Sequence, residues 1–239
     1  MNQLLPSPGA FSWDDTADPI EGLRAIGQEF HARGWSLGTS SNYSVIAERD
    51  PLELFITASG KDKSALCRDD ILRVNAAGEL LDPVASAGRK SSAETLLHCL
   101  IAKLVPDVGA ILHTHSVWGT ILSRDALASG AQLGSLCIEG YEMLKGLEGI
   151  TTHETVSLVP VFANSQDMVE LSDRIRDVFT DGTTSQGTAS GLQPPLHGFL
   201  LAGHGLYTWG KSLAAARRHI EIFEFLFEVT ARQRMLPSA

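Results

Sequence analysis

One apolar segment near the middle of the chain ends in two histidines that a single residue separates. Residues 108–112 are short, apolar and preceded by Pro106, a pattern that predicts a buried strand. Alternate side chains of a strand share a face, so His113 and His115 project together. Two neutral imidazoles on one face can bind one divalent metal ion. Either residue could instead be a hydrogen-bonded core histidine, and the pair alone leaves both alternatives open.

Around this strand, predicted helices and strands alternate along the chain. Apolar spacing predicts helices over residues 19–34, 92–104, 117–124, 168–179 and 212–234, and strands over 43–47, 52–57, 71–74, 79–81, 133–138, 156–162, 197–201 and 206–210. Short turns join several strands, and no repeat or linker divides the series. The sequence therefore predicts an α/β fold, one domain of α/β/α layers around a mostly antiparallel central sheet.

The ends and the last helix of this domain can be predicted further. We expect the domain to span residues 18–239 after an N-terminal arm at 1–17, with a mobile loop at 180–195 where Gly, Ser and Thr prevail. The last helix carries Phe225 and Leu226 outside its main apolar stripe. Such a broad apolar surface predicts a subunit contact in addition to packing on the sheet.

Charge and composition exclude several classes of partner. The formal net charge of −9 argues against a broad nucleic-acid surface, which needs clustered Lys and Arg. No apolar run approaches the roughly 18 residues of a membrane helix, and residues 1–6 lack the pattern of a signal peptide. Cys67, Cys99 and Cys137 are odd in number and widely spaced, which disfavours a disulfide framework. We therefore expect a cytoplasmic protein, with Cys99 in the core.

Two loops of small polar residues adjoin neighbouring predicted strands. Ser41 and Asn42 precede the strand at 43–47, and Ser59, Gly60 and Lys61 follow the strand at 52–57. Hydroxyls, exposed N–H groups and an ammonium can surround an anion, and a glycine permits close backbone approach. Each loop taken alone could equally be an ordinary turn.

A third polar group lies at the start of the predicted helix that ends at residue 104. Ser91 or Ser92 can cap this helix, and Glu94 lies in its first turn, where the helix dipole favours a carboxylate. Capping alone would explain Ser92 and Glu94, so a catalytic role for either stays open. His98, on the same helix, is predicted to be structural or exposed.

A third histidine stands between two glycines at a predicted turn between strands. With His113 and His115, His204 would complete three neutral ligands and leave one or two positions for substrate or water, as in catalytic metal sites. A set of histidines alone suits Zn²⁺, Fe²⁺, Co²⁺ or Ni²⁺. Beside loops that hold anions, such a metal would polarise a carbonyl of a phosphorylated sugar.

A series of short motifs, in order along nearly the whole chain, resembles the class II aldolase family. They are Ser41-Asn42-Tyr43-Ser44, Thr57-Ala58-Ser59-Gly60, Ser92-Ala93-Glu94, His113-Thr114-His115 and Gly203-His204-Gly205. The resemblance implies a nine-stranded antiparallel-type sheet flanked by helices, one Zn²⁺ per subunit on the three histidines, and a homotetramer with active sites at subunit interfaces. It also implies a small phosphorylated ketose as substrate, with its phosphate at Ser41, Asn42, Ser59, Gly60 and Lys61 and with Ser92 nearby.

Within the family, residues 33–36, 40–44, 92–98 and 203–210 most resemble dehydratases of methionine salvage. Residues 141–146 match the segment that bears the catalytic glutamate of those enzymes, here Glu142. Zinc would acidify the C3 proton of the ketose, and loss of the C4 hydroxyl would then give a 2,3-diketone. A sugar-phosphate aldolase or an epimerase of the family would use the same metal site, so the histidines do not choose the reaction. Glu94 occupies the position of the aldolases' acid/base, whereas Glu142 matches the glutamate of the dehydratases. We therefore expect Glu142 to carry the proton transfers and Glu94 to order a water at the metal or to assist.

Overall fold

A mixed, mostly antiparallel sheet of eight strands lies at the centre of the described residues, which in this computed structural model are 18–181, 183–184, 187–188 and 197–237. The strands in chain order are β1 (Asn42–Arg49), β2 (Leu52–Thr57), β3 (Ile71–Asn75), β4 (Ala110–Thr114), β5 (Leu133–Glu139), β6 (Val156–Phe162), β7 (Thr183–Thr184), β8 (Gly187–Thr188), β9 (Gly198–Leu201) and β10 (Gly205–Gly210). The sheet order is β3-β2-β1-β4-β10-β9-β6-β5, and only β6 and β9 pair in parallel. Strands β7 and β8 pair separately.

Five helices cover the two faces of this sheet. They are α1 (Pro19–Ala32), α2 (Thr95–Leu104), α3 (Val117–Asp125), α4 (Met168–Asp181) and α5 (Leu213–Met235). Successive side chains of β4 point to opposite faces, so Leu112 packs with α1, α3 and α5 while Ile111 packs with α2 and α4. The predicted α/β/α layers are confirmed, and both apolar cores follow from this alternation.

Two details of the predicted fold are wrong. The described residues form eight strands in the main sheet and not nine. Residues 79–81 make one bridge, between Val74 and Leu80, because the Asn75 side chain accepts the N–H groups of Ala77 and Glu79 and closes a tight turn there. The predicted stop of the first helix at Gly34 is confirmed: α1 ends at Ala32, Arg33 caps it, and Gly34 follows with a φ of +77°, which takes the chain away from the helix axis.

Parts of the predicted organisation cannot be compared with the structure. The proposed arm at 1–17 lies outside the described residues, as does most of the proposed loop at 180–195, of which the end of α4, β7 and β8 are described. Cys67, Cys99 and Cys137 are free thiols, and Cys99 lies in the core as predicted. Among the described helices, none combines the length and apolarity that crossing a membrane requires.

The pairing of β4 with its two neighbours places the functional residues at one edge of the sheet. His113 of β4 lies opposite Asn42 of β1 on one side and opposite Tyr207 of β10 on the other. Strand β10 approaches so closely that a Cβ on Gly205 would lie 2.0 Å from the carbonyl oxygen of Thr114. Only glycine therefore allows the turn before β10, which carries His204, to stand beside the end of β4.

Candidate active site

The three predicted metal ligands converge at the end of β4. The Nε2 atoms of His113 and His115 are 2.8 Å apart, and those of His115 and His204 are 3.1 Å apart. Glu94 joins them, with its Oε1 atom 3.1 Å from Nε2 of His204. The ligand atoms of these four residues all lie within 4.8 Å of one another, so one ion could contact all of them.

The surroundings of His113 direct its free electron pair toward this cluster. Its Nδ1 atom lies 2.9 Å from the carbonyl oxygen of Leu206, which can only accept, so Nδ1 carries the proton and Nε2 the lone pair. The ring of Tyr207 stacks on the imidazole at a centroid distance of 4.0 Å and fixes its plane. Burial holds the pKa of His113 well below its usual value, which keeps the ring in the neutral form that binds metal.

This donor set fits a divalent transition metal. The three Nε2 atoms face one another at separations close to those of ligands that sit about 2.0–2.1 Å from one zinc ion. Burial and then the neighbouring His204 lower the pKa of His115 to about 4, so this ring is also neutral near pH 7. Three imidazoles and a carboxylate do not select one metal among zinc, iron, cobalt and nickel.

A chain of buried hydrogen bonds orients Glu94 from behind. The amide nitrogen of Asn42 donates to Oε2 of Glu94 at 2.5 Å, so the amide oxygen faces His98 and accepts from its Nε2 atom at 2.5 Å. Nδ1 of His98 therefore lacks a proton and accepts from the Ser44 hydroxyl at 2.7 Å. Burial lowers the pKa of His98 to about 3, in agreement with a neutral ring.

His98 is a residue whose importance the sequence analysis missed. It is fully buried, which confirms the structural alternative and excludes an exposed side chain. It lies four residues after Glu94, the spacing that places two side chains on one side of a helix. This spacing was the sequence signal that could have predicted that the two side chains lie close together. Helix α2 starts at Thr95, three residues after the predicted start at 92, so Glu94 precedes its first turn.

Glu94 is ionised despite its burial. Burial raises the pKa of this carboxyl, but the hydrogen bond to His204, the nearby histidines and the hydrogen bond from Asn42 together bring it well below its usual value. The hydroxyl of Ser92 accepts the backbone N–H of Glu94 at 3.2 Å and holds the start of the segment. A carboxylate fixed on two sides is suited to bind a metal or to take up a proton.

A small pocket of about 100 Å³ adjoins the four-residue cluster. Its lining residues are Thr39, Ser40, Ser41, Asn42, Thr57, Ala58, Ser59, Gly60, Ser92, Glu94 and His115. Ser41 and Gly60 have φ angles of 71° and 69°, in the left-handed region that costs a serine of order 1 kcal/mol. The structure thus brings five of the six predicted phosphate residues together beside the predicted metal site.

The sixth predicted phosphate residue, Lys61, does not line this pocket. Its Nζ atom lies 2.9 Å from Oδ1 of Asp70, which also accepts from Arg89. The neighbouring lysine of the same segment, Lys63, is buried, and the sequence analysis did not single it out. Lys63 begins the short 3-10 helix Lys63–Ala65, and the sequence of this segment has no apolar periodicity that would distinguish the two lysines.

Glu142 lies outside the cluster that His113, His115 and His204 form in its own chain. It begins the short 3-10 helix Glu142–Gly146, and its side chain is 70% exposed. It pairs with Lys145, and its Oε2 atom is 3.5 Å from Nδ1 of His153. The hydrogen bond from Lys145 lowers the pKa of this carboxyl. Glu142 therefore belongs neither to the cluster of potential ligands nor to the lining of the adjoining pocket.

The fold and the site agree with a known family. Residues 21–231 match the family model described as Class II Aldolase and Adducin N-terminal domain, so this chain belongs to the class II aldolase family. A protein of Marinobacter nauticus named methylthioribulose-1-phosphate dehydratase is 45% identical to it over 212 residues, covering 89% of this chain and 92% of that protein. A protein of the same name from Azotobacter vinelandii is 42% identical over 210 residues, with 88% and 91% covered.

Solved structures support the same fold. YgbL from Escherichia coli, called a putative aldolase/epimerase/decarboxylase, aligns with a TM-score of 0.67 at 23% identity over 88% of this chain and 87% of that one. An L-fuculose 1-phosphate aldolase aligns with a TM-score of 0.69 at 19% identity over 94% and 91%. At these identities the likeness concerns the fold alone.

Proposed function

We propose that this chain is a hydro-lyase of methionine salvage that dehydrates 5-methylthioribulose 1-phosphate to 5-methylthio-2,3-dioxopentyl 1-phosphate. The observation that carries the proposal is the identity of 45%, over 89% of the chain, to a methylthioribulose-1-phosphate dehydratase. A cluster of three histidines and Glu94 beside a polar pocket supports it, because the proposed metal-assisted dehydration of a phosphorylated ketose uses both a metal and an anion site. We place the enzyme in the cytoplasm.

His113, His115 and His204 would hold one Zn²⁺ per subunit, for which three neutral imidazoles with room for a further ligand are suited. When bound, the ion supplies Lewis-acid stabilisation of negative charge on the ketose oxygens. His113 and His115 contribute by remaining neutral, which their burial ensures. The hydrogen bond from His113 to Leu206 keeps the ring oriented, as a second layer of contacts does in metal sites generally.

The carboxylates carry the proton transfers. A base takes the C3 proton, the electrons left behind expel the C4 hydroxyl, and a general acid supplies the proton with which that hydroxyl leaves as water. The remaining enol tautomerises to the 2,3-diketone. We assign these transfers to Glu142 and give Glu94, fixed by Asn42 and His204, the assisting role.

Because Glu142 lies outside the cluster of the three proposed metal ligands in its own chain, we propose that it serves the site of a neighbouring subunit in a homotetramer. Exposed apolar side chains favour such contacts, namely Val117 and Ile121 on α3 and Phe225 on α5. Phe225 is 48% exposed, whereas Leu226 is buried in the core and cannot contribute to a subunit contact.

For the phosphate we propose Ser41, Ser59, Gly60 and Ser92 as contacts, since all four line the pocket beside the cluster. Asn42 also lines it, but Glu94 and His98 already engage both ends of its amide. We therefore give Asn42 an orienting role toward Glu94 in place of the phosphate contact expected from the sequence. The ion pair of Lys61 with Asp70 likewise weighs against a direct contact from that lysine.

Aldol cleavage is the second candidate, because Glu94 lies at the metal cluster, where the family's aldolases have their acid/base. The test is to incubate the zinc-loaded protein with 5-methylthioribulose 1-phosphate and to follow the products by mass spectrometry. We expect a product lighter by one water. Dihydroxyacetone phosphate together with a methylthio aldehyde would instead establish cleavage, and the variant His115→Ala is the control for metal dependence.

A further inference from the structure

Lys63 is buried beneath the two loops that form the proposed phosphate pocket and, like Lys61, is not among the residues that line it. Only 1% of the residue is exposed, and its Nζ atom donates to the carbonyl oxygens of Lys61 at 2.9 Å and of Thr39 at 3.4 Å. These two carbonyls belong to the two loops that line the pocket, one before β1 and one after β2. A single ammonium therefore joins the two loops that form the pocket for the substrate phosphate.

The close packing of α1 keeps Lys63 in this position. A Cβ on Gly27 of α1 would lie 2.3 Å from the carbonyl oxygen of Lys63, so the helix contacts the backbone of the segment directly. The side chain then extends away from α1 toward the loops. The contact with α1 fixes the backbone at Lys63, and the two hydrogen bonds to loop carbonyls fix its ammonium, so the fold determines the position of the charge.

Lys63 lacks a carboxylate at ion-pair distance among the described residues. The nearest carboxylates are engaged elsewhere: Asp62 accepts from the backbone and hydroxyl of Ser64, Asp70 pairs with Lys61 and Arg89, and Glu94 contacts His204 and Asn42. A buried charge is expensive unless an opposite charge compensates for it. Burial lowers the pKa of Lys63 to about 8, so most of the population is still protonated near neutral pH.

We propose that Lys63, and not Lys61, is the cation of the phosphate subsite, and that its ammonium both joins the two loops and balances the charge of the bound phosphate. The missing counter-ion of Lys63 is then the substrate itself. Lys61, by contrast, already has Asp70 as its partner. The assignment rests on the proposed function only for the identity of the phosphorylated substrate.

The test compares three lysines changed to methionine, which keeps the length of the side chain and removes the charge. For Lys63→Met in the zinc-loaded protein, we expect inorganic phosphate to bind about ten- to a hundredfold more weakly by calorimetry. The KM for the phosphorylated ketose should rise in proportion, with kcat and zinc content nearly unchanged. Turnover of the same ketose without its phosphate should fall much less than turnover of the phosphorylated ketose, because only the latter loses the charge interaction.

Two matched variants show whether position matters. Lys61→Met removes the other ammonium of the segment, and we expect a much smaller change in phosphate affinity. Lys103→Met removes an exposed lysine of α2 that does not line the pocket. Its Nζ atom also donates to a backbone carbonyl, that of Ala76, at 2.7 Å. This variant is the control for loss of a lysine-to-carbonyl bond away from the pocket, and its phosphate affinity should equal that of the original chain.

Several results would overturn the proposal. A folded, zinc-loaded Lys63→Met protein with unchanged phosphate affinity would do so, and so would a larger loss in Lys61→Met. Lys63→Gln guards against misfolding, because its side chain keeps N–H donors for the loop carbonyls. Normal phosphate affinity in this variant would exclude a role for the charge of Lys63 in phosphate binding. Calorimetry measures phosphate binding without turnover. If the original chain fails to dehydrate the ketose but Lys63→Met still weakens phosphate binding, only the proposed function is contradicted.

Discussion

The amide of Asn42 joins Glu94 to His98: its nitrogen donates to Oε2 of Glu94 at 2.5 Å, and its oxygen accepts from Nε2 of His98 at 2.5 Å. Asn42 begins β1, whereas both partners belong to the segment that forms α2. The amide cannot rotate without losing both bonds, since its two ends have opposite hydrogen-bonding character. The carboxylate that faces the cluster of three histidines is thus oriented by a residue that is not itself a member of that cluster.

We predict that His98→Leu lowers kcat by about ten- to a hundredfold while KM and zinc content stay near those of the original chain. Without the donor from His98, the Asn42 amide is free to turn, and Glu94 loses its fixed orientation. His98→Gln should recover part of the rate, because its amide can again donate to Asn42. Steady-state kinetics with metal analysis provides the measurement, and a parallel loss of zinc and stability in both variants would mean a structural role only.

Removal of one imidazole should weaken metal binding and lower turnover together. We expect His115→Ala to bind zinc more weakly in a titration with a competing chelator and to lose activity by about three orders of magnitude, because one of the three imidazoles that would hold and orient the ion is gone. His31→Ala, in the last turn of α1, is the matched control. Activity that survives exhaustive chelation and does not respond to added zinc would contradict the assignment.

A mixing experiment tests whether Glu142 serves a neighbouring subunit. Glu142→Gln and His115→Ala should each be nearly inactive alone, yet hybrids refolded or exchanged from equal amounts should regain activity. If each site takes its histidines from one subunit and Glu142 from the next, about one quarter of the sites contain both intact groups. Hybrids that stay as inactive as the parents, although mass spectrometry detects mixed tetramers, would exclude a shared site.

The buried carboxyl of Glu224 should make stability depend on pH. It lies behind β4, accepts from the Thr114 hydroxyl at 2.9 Å, and has no partner at Oε2 among the described residues. Burial raises its pKa to about 7, whereas an unfolded chain titrates near 4.5. Between these values the folded state retains a proton that the unfolded state has lost, so the free energy of unfolding falls as pH rises.

We therefore predict that Glu224→Gln gains stability relative to the original chain by about 2 kcal/mol between about pH 5.5 and pH 8. Chemical unfolding should be measured in the presence of a chelator, so that release of metal does not contribute. Glu228→Gln, an exposed carboxylate of the same helix, controls for a general change of charge on α5. A difference between Glu224→Gln and the original chain that is constant with pH would contradict the prediction.

Local patterns in the sequence determined much of this protein. The alternation of β4 put His113 and His115 on one face, and helical spacing located all five helices within a few residues. The glycines around His204 marked the turn that carries the third imidazole. These features depend on backbone periodicity and on the conformational freedom of glycine, both of which adjacent residues reveal.

Tertiary structure decided the rest. Lys61 and Lys63 lie two residues apart in a segment without periodicity, and only the packing of α1 determines which ammonium is buried beneath the loops. The bonds from Asn42 to Glu94 and His98 cross more than fifty positions of sequence, and the place of Glu142 outside the cluster depends on how its 3-10 helix packs against α5. The physical reason is that burial and long-range hydrogen bonds arise when distant segments pack together, which no local pattern encodes.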